Sequence, residues 1–271
     1  MRAYRVAYDG RAYHGFQRQP DVATVEDALL DALGTLGLEF ADAPPGWAAA
    51  GRTDAGVSAL AQTVAFEAPE WLSPRAFSAH LPEDVHAWAS ASVPADFHAT
   101  HDARRREYTY FLPAPEADPD RIAALERRLA GENDFHNLAA EDDGTVRELA
   151  IESRREGQFR RIVVRADGFP RQLVRRLVAL YDQVARGAAD LAFVDRVLDS
   201  EPLPGPQGVE PAPATGLVLT DVEYEQSLEP DQQAAQWARE AIADRRQRDQ
   251  VRAAVGAELR SGVPGLAGDN A

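Results

Sequence analysis

The segment Gly51-Arg52-Thr53-Asp54-Ala55-Gly56-Val57 sets one guanidinium and one carboxylate two positions apart between glycines. Glycine at both ends lets the backbone turn tightly and lets another group come close to it. The alternation that follows, Thr63-Val64-Ala65-Phe66-Glu67, predicts a strand. Asp54 therefore sits on a loop leading into a strand, where a rigid scaffold can aim a side chain. The same pattern also describes a surface turn whose Asp accepts a hydrogen bond from its own backbone. Other chemistries lack their residues. There is no Lys for a Gly-rich phosphate loop, no Cys for a thiolate, and no Ser in a nucleophile elbow. His98 and His101 lie three apart with no third ligand nearby, so no metal site is expected. Asp54 remains the best catalytic candidate.

The elements around this loop belong to a chain of 271 residues, room for one large domain or two ordinary ones. With 45% hydrophobic residues it can bury a real core. No apolar run approaches the ~20 residues of a membrane span, so no membrane partner is expected. Met1 to Tyr8 goes directly into a strand pattern, not a signal peptide. Together with the absence of Cys, this predicts a cytoplasmic location. The net charge is -15, and all 29 basic residues are Arg. Such acidity ordinarily argues against a nucleic-acid partner. In a salt-saturated cytoplasm, however, carboxylates keep a protein soluble while repulsion is screened over ~3 Å at about 1 M salt. The composition points to a halophile, so local clusters matter more than net charge.

Fifteen of the 29 Arg lie between positions 101 and 180, interleaved with Tyr108, Tyr110, Phe159 and Phe169. Arg104, Arg160 and Arg161 belong to this group, and the planar guanidinium suits bidentate phosphate contact and stacking. The cluster is expected to form a phosphate-binding surface.

Tyr4, Val6 and Tyr8 alternate in a first strand. A polar-aromatic loop, Tyr13 to Pro20, leads to Thr24, which caps a helix with stripe Val25, Leu29, Leu33 and Leu36, ended by Gly34 and Gly37. Ser73-Pro74 starts a short helix, and 85–93 is a strand. A second unit begins near His98 with a strand over 106–112. Asp118-Pro119 then opens a helix closed by Gly131. Strands 146–153 and 159–166 flank Glu156-Gly157 as a hairpin. Pro170 leads a long helix to Gly187, a shorter helix carries Leu191 to Leu198, and 217–224 is a last strand. Residues 229–260 read as a charged helix whose stripe, Ala234, Trp237, Ala238, Ala241 and Ile242, docks on the body; from Ser261 the chain is expected to be disordered. The pattern predicts an α+β fold: two β-α-β (ferredoxin/RRM-like) halves, residues 1–97 and 98–226, around a largely antiparallel sheet with a central cleft, then a helical tail, 227–271.

These segments resemble the tRNA pseudouridine synthase A family over most of residues 4 to 225. Tyr8-Asp9-Gly10 with Tyr13-His14-Gly15-Phe16-Gln17-Arg18-Gln19 resembles its opening motif, and Gly51 to Val57 its signature. Phe97-His98-Ala99 and Arg106-Glu107-Tyr108-Thr109-Tyr110 resemble the segment carrying its active-site tyrosine. Gly131-Glu132-Asn133-Asp134-Phe135, Leu173 to Val178 and Ala214 to Tyr224 match later blocks. The departures are Phe16 for Trp, Ser58 for His, Thr100 for Arg and Ala179 for Gly. The resemblance implies isomerisation of uridine to pseudouridine at positions 38 to 40 of the tRNA anticodon stem-loop, without a cofactor, by a homodimer. It implies that Asp54 is the nucleophile. Arg52 would pair with Asp54 or fill the space of a flipped base. Tyr108 would stack on the uracil, and Arg175 would pair with Asp54 and hold it ionised. Arg18, Arg104, Arg160 and Arg161 would contact the RNA. An RNA-binding protein without turnover and a nucleosidase with a second carboxylate near Asp54 stay open.

Overall fold

The computed structural model describes residues 1–113, 117–141, 143–203 and 208–263. β1 (Arg2–Tyr8) is the predicted strand, but it is buried on both faces, Ala3 and Ala7 as well as Tyr4, Val6 and Tyr8, and it pairs antiparallel with β3 (Ser58–Phe66) and β4 (Val85–Ser92). β5 (Arg105–Pro113) pairs antiparallel with β8 (Phe159–Ala166) and β9 (Leu217–Glu223). β7 (Val146–Glu156) forms the hairpin with β8 and pairs with β6 (Gly131–Asp134). The two sets meet where β3 runs parallel to β9, with Ser58 opposite Val218 and Ala59 opposite Leu219. Two short strands complete the sheet, β2 (Ala48–Ala49) on β3 and β10 (Glu229–Pro230) at the edge on β4. The architecture is α+β, with a mostly antiparallel sheet and a C-terminal helix.

α1 (Val25–Thr35) starts at Thr24, whose hydroxyl accepts from Asp27 N–H. Its stripe buries Leu29 and Leu33 completely, worth ~1.5–3 kcal/mol per side chain. Gly34 lies inside this helix; the stop is made by Gly37, at φ +83°. α2 (Pro74–Ser78) sends Phe77 against Tyr4, which stacks on Phe66. α3 (Pro119–Leu129) and α4 (Leu173–Ala185) bury Leu125, Leu129, Leu177 and Tyr181, with α5 (Leu191–Val197) beside them. α4 begins three residues after Pro170, because Gln172 takes a left-handed φ of +65° and breaks the helical path.

α6 (Gln232–Gly262) runs past Ser261, where the sequence placed its end; residues 264–271 lie outside the described residues. Ala234 and Ala238 are buried, but Trp237 and Ile242 of the same predicted stripe stay 38% and 51% exposed. Polar contacts do much of the docking: Arg245 Nη1 donates to Asp9 Oδ2 at 2.8 Å, and Arg11 bridges Asp9 and Asp249.

Candidate active site

The loop between β2 and β3 is fixed atom by atom. Three successive carbonyls that lead into it each accept from a different side chain. Ala49 O takes Thr100 Oγ1 (2.5 Å), Ala50 O takes Arg106 Nη2 (2.8 Å) and Gly51 O takes Gln62 Nε2 (2.8 Å). Thr53 Oγ1 bonds Tyr8 OH at 2.8 Å. The opening motif forms a bed beneath: Phe16 N–H donates to Thr53 O, and Gly56 N–H to Tyr13 O. Gly15, at φ +102°, must be glycine, since a Cβ there would lie 2.8 Å from Thr53 O. Two positions that depart from the family pattern have structural tasks, Thr100 at Ala49 O and Ser58, whose hydroxyl accepts from Gly10 N–H.

This bed presents Asp54 to a cleft of about 620 Å³. Asp54 Oδ2 accepts from Arg175 Nη1 at 2.7 Å, and Arg175 is itself anchored by Nε to Ala212 O at 2.8 Å. Side-chain exposures of 26% and 16% leave this pair partly shielded. Tyr108 also lines the cleft; it packs edge-on against Phe169, ring centroids 5.2 Å apart. Burial pushes the Tyr108 hydroxyl up to about 12, with the Asp54 carboxylate adding to the rise and Arg106 opposing it. Tyr108 is therefore a neutral phenol at working pH, able to donate a hydrogen bond or pass a proton. Two further carboxylates reach the cleft. Glu26 is engaged by Trp47 Nε1 and the N–H of Arg18, and Glu141 accepts from the N–H of Arg171.

Asp54, Arg52, Tyr108 and Arg175 thus share one cavity. Arg52 lines it as an exposed residue, while the ion pair of Asp54 is made by Arg175. The predicted phosphate-binding surface is not one surface. Arg160 pairs with Leu112 across the sheet and Arg161 with Phe111, so the two point to opposite faces. Arg160 donates to Ser153 Oγ and Arg161 to Thr109 Oγ1. Arg18 is held by Asp27 and Asp42, and Arg104 by Glu225. None of these four lines the cleft. Sequence reasoning missed Arg171 and Gln172 as cleft residues, and it noted Phe169 only as an aromatic among arginines. The left-handed backbone at Gln172 carries no sequence signal, because a non-glycine residue occupies it. His98 Nδ1 accepts from Thr100 N–H, and among the described residues no group of three or more His, Asp or Glu is placed to hold a metal.

A family model described as tRNA pseudouridine synthase matches residues 126–225. The chain is 54% identical to the tRNA pseudouridine synthase A of Haloarcula marismortui over 275 residues, covering 97% of this chain and 100% of that one. The chain belongs to the tRNA pseudouridine synthase A family. The enzyme of that name from Natronomonas pharaonis is 54% identical over 263 residues, 96% of this chain and 98% of its own. That from Methanosarcina barkeri is 34% identical over 253 residues, 92% of this chain and 91% of its own. The Haloarcula and Natronomonas relatives come from halophilic archaea, in agreement with the acidic, lysine-free composition. The matched segment 126–225 contains Arg175 and the α4 side of the cleft. The Asp54 loop enters the likeness through the full-length relatives.

Proposed function

We propose that this chain is a tRNA pseudouridine synthase that isomerises uridine at positions 38 to 40 of the anticodon stem-loop, with Asp54 as nucleophile. The activity on tRNA follows from the family. The observation that carries the site assignment is the Asp54 carboxylate, held at 2.7 Å by Arg175 on a loop whose carbonyls are individually tied, facing a buried phenol. The reaction breaks C1'–N1, turns the uracil, joins C5 to C1' and exchanges the C5 proton for one on N1. A carboxylate can attack the sugar or base, or shield an oxocarbenium-like sugar, as in glycoside hydrolysis. A stacked uridine must first be flipped out of the stem. Tyr108 can then stack on it and handle the C5 proton, and Arg52 can occupy the vacated space. Arg52 and Arg171 are cleft-lining guanidiniums without a side-chain ion pair among the described residues, free to meet RNA phosphate.

The reading includes a division into halves 1–97 and 98–226 facing the cleft, with 227–271 as a tail, supported by Asp54 and Tyr108 reaching one cavity from opposite sides of the β3–β9 seam. It also includes a homodimer, checked by sedimentation, and a cytoplasmic location; among the described residues no helix is long and apolar enough to cross a membrane. The test is pseudouridine-specific chemical mapping of tRNA incubated with the wild type and Asp54→Asn. Wild type should mark positions 38 to 40. Asp54→Asn should bind tRNA but leave it unmodified, because the amide keeps the shape and loses the nucleophile. Free uracil with an abasic tRNA would make the enzyme a nucleosidase, and a modified tRNA from Asp54→Asn would remove Asp54 from the chemistry.

A further inference from the structure

Arg106 is 9% exposed and has no ion pair among the described residues. Its guanidinium is spent on backbone. Nε and Nη2 both donate to Ala50 O, at 3.1 and 2.8 Å. Nη2 also donates to Thr100 O at 2.7 Å, and Nη1 to Asp167 O. These carbonyls belong to three separate segments. Ala50 immediately precedes the Gly51–Gly56 loop, Thr100 lines the cleft, and Asp167 is two residues from Phe169, which packs on Tyr108. Burying a cation against carbonyls alone is a poor way to stabilise a fold, since an apolar side chain of similar volume avoids the desolvation cost. What the planar fork supplies is a fixed spacing among three acceptors, which the single ammonium of Lys cannot span.

We propose that Arg106 is a positioning residue for catalysis: it gathers the Asp54 loop, the His98–Thr100 turn and the Asp167–Phe169 segment into one cleft, setting Asp54 and Tyr108 relative to each other. This rests on the proposed pseudouridine synthase activity. The carboxylate itself is held by Arg175, while every hydrogen bond of the Arg106 guanidinium goes to a backbone carbonyl and none to Asp54 or Tyr108.

The experiment measures single-turnover pseudouridine formation and tRNA affinity for the wild type, Arg106→Lys, Arg106→Met and Arg106→Ala, each checked for folding by circular dichroism. We expect the rate of each variant to fall about 100-fold, the size of effect that a ~1 Å misplacement produces. We expect Kd for tRNA to stay within about threefold of wild type, since the phosphate contacts are elsewhere. Methylguanidinium should restore part of the rate of Arg106→Ala, and methylammonium should not. If Arg106→Ala does not fold, the Arg106→Lys rate decides, because Lys keeps the charge and loses the fork. A folded Arg106→Met or Arg106→Lys near the wild-type rate overturns the proposal, as does a rate that falls only in step with tRNA affinity, or equal rescue by both cations. A wild type that forms no pseudouridine would instead remove the functional reading beneath it.

Discussion

Replacing Arg175 by Met keeps most of the side-chain volume on α4 and removes two charge-assisted hydrogen bonds, to Asp54 Oδ2 and to Ala212 O. Such bonds contribute ~1.5–3 kcal/mol each. Asp54 is 26% exposed and can recruit water at its freed oxygen, so the lower end applies, for a total of about 3 kcal/mol of folding stability. Only the Asp54 bond bears on the chemistry. If its ~1.5 kcal/mol is fully felt in the transition state, kcat falls about tenfold, at 1.36 kcal/mol per decade. Arg175→Lys keeps the charge but can reach only one of the two partners, so its loss should be smaller. The assay is tritium release from tRNA carrying C5-labelled uridine, at saturating tRNA, with denaturant unfolding of each variant alongside. A folded Arg175→Met with kcat within about twofold of wild type would refute the pairing argument. So would Arg175→Lys proving worse than Arg175→Met.

Gly15→Ala forces a side chain into φ +102° and to 2.8 Å from Thr53 O; we expect a cost of ~1–3 kcal/mol with lowered kcat, and an unchanged melting temperature would refute the account of the bed. Asp9 is partly buried, which opposes its ionisation, yet hydrogen bonds from Arg11 and Arg245 outweigh this and hold its pKa at about 2, below the ordinary 3.8. The resulting stability is fully present above the ordinary value and is lost as pH falls toward the folded one. Arg245→Met should therefore flatten the decline of stability across that acid range, and identical acid profiles would show that α6 is not held by this ion pair. Affinity for tRNA should pass through a maximum as KCl rises, because screening first removes repulsion by the acidic surface and then weakens phosphate contacts; a monotonic fall in protein shown to be folded by circular dichroism would defeat the halophile argument.

Much of the fold was legible because local rules agreed with tertiary ones. Thr24, Ser73 and Asp118 cap the helices they were expected to cap, and the Gly157 hairpin joins the strands that alternation marked. The two-residue strands β2 and β10 were not legible, since nothing but the neighbouring strand makes Ala48–Ala49 or Glu229–Pro230 extended. In the site, Asp54 stood out because glycines surround it. Phe169, Arg171 and Gln172 did not, because their place at the cleft depends on a left-handed residue at a position not occupied by glycine. Arg106 read as one more cation in a basic run and as the first residue of the Tyr108 segment; its burial and its three carbonyl partners separate it from the exposed Arg104 and Arg105, which pair with Glu225 and Glu223.

Arginine is the only strong side-chain cation this chain has, and the fold gives it several tasks that composition cannot distinguish. Arg106 ties backbone, Arg175 pairs with the Asp54 carboxylate, and Arg165 joins Glu107 to Glu152 on the sheet. With 44 acidic residues against 29 Arg, about half of the guanidiniums lie within ion-pair distance of a carboxylate among the described residues, so a run of Arg in sequence overstates the positive surface offered to RNA. Exposed pairs of this kind contribute little to stability, ~0–1 kcal/mol each. Their consequence is to neutralise cations that would otherwise bind phosphate indiscriminately. At high salt, where counterion release adds little, a few unpaired guanidiniums beside a shaped cleft discriminate better than a broad basic face. We therefore propose that Arg52 and Arg171, which line the cleft, weigh more in tRNA recognition than the consecutive pair Arg160 and Arg161, which lie outside it and donate to the Ser153 and Thr109 hydroxyls, although the latter pair is the more conspicuous in the sequence.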